Sequence, residues 1–82
     1  MSDNSLQKKI QPDAQQLFEL LQARMPFGKY AGRRLIDIPE EYLIWLERKG
    51  FPAGKLGRQL TEVLEIKVNG LGPFVRDLVR RI

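Results

Sequence analysis

Two short stretches of this 82-residue chain concentrate the side chains most able to bind a ligand. Gly28-Lys29-Tyr30-Ala31-Gly32-Arg33-Arg34 sets three cations around one aromatic ring, and Gly54-Lys55-Leu56-Gly57-Arg58 sets two cations among two glycines. Basic groups interleaved with an aromatic suit contact with a phosphate backbone together with stacking on an unpaired base. In the second stretch, free backbone N–H groups at a helix start would join Lys55 and Arg58 in an anion pocket. Gly54 and Gly57 would let a phosphate come close to the backbone. Lys55 and Arg58 would then sit in a first helical turn, where the macrodipole disfavours cations by about 0.3–1 kcal/mol each. Local conflicts of this kind tend to mark functional sites. Plainer readings stand beside both: solvated charges at a helix start cost little, and Tyr30 can pack under its loop while the cations keep the chain soluble.

Catalysis has little to work with. The chain has no histidine and no cysteine, which removes the commonest general base and transition-metal ligand, thiol nucleophiles and zinc–thiolate sites. Only Ser2, Ser5 and Thr61 carry aliphatic hydroxyls, and no imidazole exists to activate them. Gly50-Phe51-Pro52-Ala53-Gly54-Lys55-Leu56 has the flavour of a phosphate loop. It is one residue too short between its glycines, and Leu56 stands where Ser or Thr must hold Mg²⁺. Asp13 with Glu65 and Lys67 mimics the acid-acid-lysine set of Mg²⁺-dependent nucleases, but that chemistry needs Glu and Lys on a strand. Here they lie in a helical pattern, where i and i+2 diverge. Asp37, Glu40 and Glu41 are accounted for by a helix start, which favours acids. A non-enzymatic protein without metal or cofactor is expected.

The net charge of +4 hides a strong alternation. Residues 24–36 carry four cations and no acid, residues 37–47 four acids and no cation, and residues 48–58 four cations again. Positive charge therefore gathers at two glycine-rich connections, and the overall pI is near 9.8. The absence of cysteine permits a reducing compartment. The opening residues lack the apolar stretch of a signal peptide, and the longest uninterrupted apolar run, Tyr42 to Leu46, is far below the roughly 20 residues of a membrane span. A cytoplasmic protein that does not enter membranes is the expectation.

The elements that must hold these residues read as mainly α, in one small domain of three to four helices. Residues 1–11 are expected to be a flexible polar leader, and residues 12–82 a single compact unit. A first helix should run from Pro12 to about Arg24, with Ala14, Leu17, Phe18, Leu21 and Met25 on its apolar face. The next stretch, with glycines four apart, suggests one short β-hairpin or a tight glycine loop. Pro39, Glu40 and Glu41 open a second helix and Gly50 stops it. Tyr42, Leu43, Trp45 and Leu46 supply its apolar face, and Trp45 is assigned to the core. A third helix places Leu56, Leu60, Val63, Leu64, Val68 and Leu71 inward and ends near Asn69-Gly70. Pro73 opens a fourth, with Phe74, Val75, Leu78, Val79 and Ile82 inward.

Three motif blocks carry a resemblance: Met25-Pro26-Phe27-Gly28-Lys29-Tyr30-x-Gly32, Leu35-x-x-Ile38-Pro39-x-x-Tyr42-Leu43-x-Trp45-Leu46, and Gly50-Phe51-Pro52-x-Gly54-x-Leu56-Gly57. Together, over roughly residues 25–71, they resemble a small bacterial family of unknown function labelled "putative quorum-sensing-regulated virulence factor". The first two blocks also look like a short module attached to exonucleases resembling exonuclease X. That likeness implies company with nucleic-acid enzymes and no active site of its own. Ala31 stands where relatives often have Lys, and Arg34 where they often have Pro, which shifts the loop's charge and stiffness.

The sequence thus points to an accessory module that binds nucleic-acid backbone, single-stranded or junction-like. Lys29, Arg33 and Arg34 would contact phosphates, Tyr30 would stack, and Lys55 with Arg58 would hold a further phosphate. About four neutralised phosphates would give a log-affinity against log-salt slope near −3 on single strands. The alternative is a protein–protein adaptor for an acidic or apolar surface, anchored by Phe27, Tyr30 and Phe51.

Overall fold

Three buried positions within four residues, Leu35, Ile36 and Ile38, fix how the helices meet. In the computed structural model, which describes residues 14–81, Leu35–Asp37 form a single 3₁₀ turn. It packs against α1 (Ala14–Gln22), α3 (Lys55–Val68) and α4 (Gly72–Arg81). α2 (Glu40–Lys49) lies along α3, and α1 also meets α4. Leu35, Ile36 and Ile38 are shut off from solvent along with Met25, Leu43, Leu60 and Val63. Truncating any one of these to Ala costs about 2–5 kcal/mol.

Local chemistry explains both ends of α2 and the end of α3. Pro39 precedes α2 in an extended conformation, Glu40 and Glu41 occupy its positive end, and Arg48 and Lys49 its negative end. Gly50 closes it by donating its N–H to the carbonyls of Leu46 and Glu47. α3 ends in a Schellman motif. Leu71 donates to the Ile66 carbonyl and Gly70 to that of Lys67, with Gly70 at φ +77°, where any other residue is strained.

The apolar stripes are narrower than periodicity suggested. In α1 the core takes Leu20 and Leu21, while Leu17 and Phe18 stay exposed. In α3 and the following turn Val68 and Leu71 face solvent, and in α4 so do Phe74 and Leu78, leaving Val75 and Val79 buried. Each of these helices carries more apolar side chains than one 100°-wide stripe can bury, and the 3₁₀ turn selects which set goes in. The expected start of α1 at Pro12–Asp13, the inward Ile82 and the leader lie outside the described residues.

No strand forms among the described residues. Between α1 and the 3₁₀ turn there is one antiparallel bridge, Arg24 to Arg34. The described residues form a mainly helical, compact single domain with four helices. Among the described residues no helix is long and apolar enough to cross a membrane.

Candidate nucleic-acid interface

Residues 25–33 form a loop whose two ends are tied by backbone bonds. Met25 donates to the Arg33 carbonyl at 2.8 Å, Gly32 to Met25 at 2.7 Å, and Leu35 to Ala23 at 2.9 Å. Gly28 and Gly32 turn the chain at φ +80° and +88°. A Cβ at Gly28 would already sit 3.4 Å from the Tyr42 hydroxyl. The Arg24 guanidinium adds a hydrogen bond from Nη1 to the Gly32 carbonyl at 2.6 Å. The loop is therefore held from below by Tyr42 and from the side by Arg24, and its base runs straight into buried Leu35.

On this support Lys29, Tyr30 and Arg33 come together. The Lys29 ammonium lies 5.6 Å from the Tyr30 ring centre and the Arg33 guanidinium 5.7 Å. Tyr30 is half-buried and packs edge-on against Tyr42, with ring centres 4.8 Å apart. Tyr42 continues to Trp45 at 5.5 Å, and Lys49 rests over the Trp45 ring at 5.6 Å. Each such exposed cation–π contact contributes about 0.5–1 kcal/mol and leaves the charge itself uncompensated. Among the described residues no carboxylate pairs with Lys29, Arg33 or Lys49. Arg34 is different: it is half-buried, and its Nε is closed off from solvent with no hydrogen-bond partner among the described residues. That atom is not presented to a phosphate.

Trp45 corrects the sequence reading. It is half exposed, at 50%, because Leu43 takes the inward position on α2 and is fully buried. Tyr42, Trp45 and Lys49 share the i, i+3, i+7 face that looks out beside the loop. That spacing was visible in the sequence, but five consecutive apolar residues concealed which face was outward. Phe51, expected as an exposed anchor, is half-buried and packs against the core, whereas Phe27 is exposed.

The second basic stretch is built differently. Lys55 Nζ lies 3.1 Å from Glu19 Oε1 on α1, and it shares a shallow depression with Arg58, Gln16, Gln59, Glu19 and Glu62. The hydrogen bond from Lys55, with a second from Gln15, lowers the Glu19 carboxyl below its ordinary range. A carboxylate from another helix thus offsets the cation that the macrodipole disfavours. Gly57 does not open the backbone to a ligand: it is buried, and a Cβ there would collide with the Pro52 carbonyl oxygen. Its smallness lets the Phe51-Pro52 connection lie directly on α3. Among the described residues no three carboxylates gather closely enough to hold a metal ion.

Comparison with known proteins adds a family. A family described as "Putative quorum-sensing-regulated virulence factor" matches residues 13–78, a wider span than the motif blocks. "Uncharacterized protein YpeB" of Escherichia coli (strain K12) is 55% identical over 69 residues, covering 83% of this chain and 96% of the relative. Its counterpart in Escherichia coli O157:H7 matches to the same extent. No solved structure matches. The likeness of two motif blocks to an exonuclease-associated module draws nothing from these matches.

Proposed function

The chain belongs to the family described as "Putative quorum-sensing-regulated virulence factor", and within it we propose that this protein is a non-enzymatic accessory module that binds nucleic-acid backbone in the cytoplasm. One observation carries the reading: three cations without carboxylate partners among the described residues, Lys29, Arg33 and Lys49, border a continuous row of aromatic rings, Tyr30, Tyr42 and Trp45. A positive surface with aromatic groups is the arrangement that single strands favour. Lys55 and Arg58 are left out of the contact set, because Glu19 already engages Lys55. Three phosphates, rather than four, give a log-affinity against log-salt slope of about −2 on single strands. The test is a titration of a labelled single strand at a series of salt concentrations. Binding that is independent of salt excludes the phosphate contacts.

A second reading, an adaptor for an acidic protein surface, is favoured by Phe27, exposed at 45% and two residues from Lys29 in the chain. Aromatic and basic side chains together make good anchors in protein interfaces. The same titration with an acidic polypeptide separates the two readings.

A further inference from the structure

We propose that Trp45 is the stacking platform of this face, so that the ligand is a strand presenting at least one unpaired base; this rests on the nucleic-acid reading above. Tyr30 is poorly placed for that task. It is half-buried, it meets Tyr42 in a T-shaped contact, and both Lys29 and Arg33 sit over its ring. Tyr30 therefore gathers cations, and its π surface is engaged within the molecule.

Trp45 has the opposite character. Half of it faces solvent although the helix that carries it buries Leu43 completely, so the indole is not needed to seal the core. It is nonetheless held, since it tilts at 37° against Tyr42, which is braced by Tyr30. A large ring that is both exposed and braced loses little freedom when a base settles on it. Lys49 covers part of the indole, and an exposed cation–π contact is weaker than a base stack. An arriving base can displace the ammonium, which then meets the adjacent phosphate. The outer rings, Tyr30 and Trp45, are at most about 10 Å apart, a span that a few nucleotides of backbone cover. A strand whose base lies on Trp45 thus passes Lys29 and Arg33 within a few nucleotides. In a duplex the bases are stacked on each other and withheld, so this geometry discriminates by strandedness.

Trp45 is the chain's one tryptophan, so its emission reports this contact directly. The full chain is titrated with an oligothymidylate, with a hairpin duplex and with poly-glutamate. The oligothymidylate is expected to quench the emission and the duplex to leave it largely unchanged. Trp45→Ala, followed by the anisotropy of a labelled oligothymidylate, is expected to weaken binding roughly 5- to 150-fold, the span of base–aromatic stacking, with duplex affinity and salt slope unaltered. Trp45→Phe, which keeps a ring, recovers most of the loss, and circular dichroism checks that both variants fold. Strand binding with the expected salt slope but no quenching, and unchanged affinity in Trp45→Ala, overturns the stacking role while leaving the backbone reading intact. Failure of every nucleic acid to bind removes both. Quenching by poly-glutamate as strong as by the oligothymidylate overturns the platform in favour of a protein partner.

Discussion

The connections at residues 24–34 and 54–58 are alike in sequence, each mixing glycine with Lys and Arg, yet their charges meet different company. Lys29 and Arg33 lie on the Tyr30 ring, a neutral surface that orients a cation without cancelling it. Lys55 reaches across to Glu19, which cancels much of its field. The lesson is that local basic character does not define an anion site. What decides is the partner brought by the rest of the fold, an aromatic face in one case and a carboxylate in the other.

Four experiments can break or sharpen this contrast. The largest effect is expected from Gly57→Ala, whose methyl group would collide with the Pro52 carbonyl. A backbone obstacle cannot swing aside, so denaturant titration should register a loss of more than about 3 kcal/mol. A stable, well-folded variant would return Gly57 to the role of ligand approach. Next comes charge reversal. Lys29→Glu combined with Arg33→Glu should lower single-strand affinity well beyond tenfold, whereas Lys55→Glu should change it less than threefold. The opposite ranking would invert the comparison.

Smaller effects test the carboxylate. Glu19→Gln releases Lys55, and the freed ammonium can take up one more phosphate, steepening the salt slope by about 0.7. The pair is exposed and screened by solvent, so its loss should change stability only slightly. The smallest signal is its pH dependence. Because Lys55 lowers the Glu19 carboxyl in the folded state, the contribution is complete above the ordinary value of 4.5 and is lost as pH falls through the lower folded value. Wild type and Glu19→Gln should therefore converge in melting temperature on acidification. A gap that widens at low pH would contradict the pairing.

Much of the fold was legible beforehand because its signals are local. Pro39 with Glu40 and Glu41, Gly50, and Asn69-Gly70 mark helix ends through chemistry within one turn. Lys55 was expected in the first turn of α3, and it is there. What escaped was the choice among competing faces. Tyr42 to Leu46 is an unbroken apolar run, so periodicity alone gave no reason to turn Trp45 outward; Leu43 wins the inward position in the assembled core. Leu17 and Phe18 lose to Leu20 and Leu21 in the same way. The partner of Lys55 escaped for a different reason: Glu19 is 36 residues away in the chain, and only the packing of the helices brings the two together.

The buried 3₁₀ turn has an effect on any occupant of the neighbouring loop. Leu35 and Ile36 are sealed among α1, α3 and α4, and the loop ends only two residues upstream of Leu35. Whatever steadies Arg33 and Arg34 must also resist the opening of that junction. A ligand at a hundred times its dissociation constant would add about 2.7 kcal/mol to the folded state. Thermal shift against a panel of short oligonucleotides is therefore a way to search for the natural one, with heat resistance as the readout.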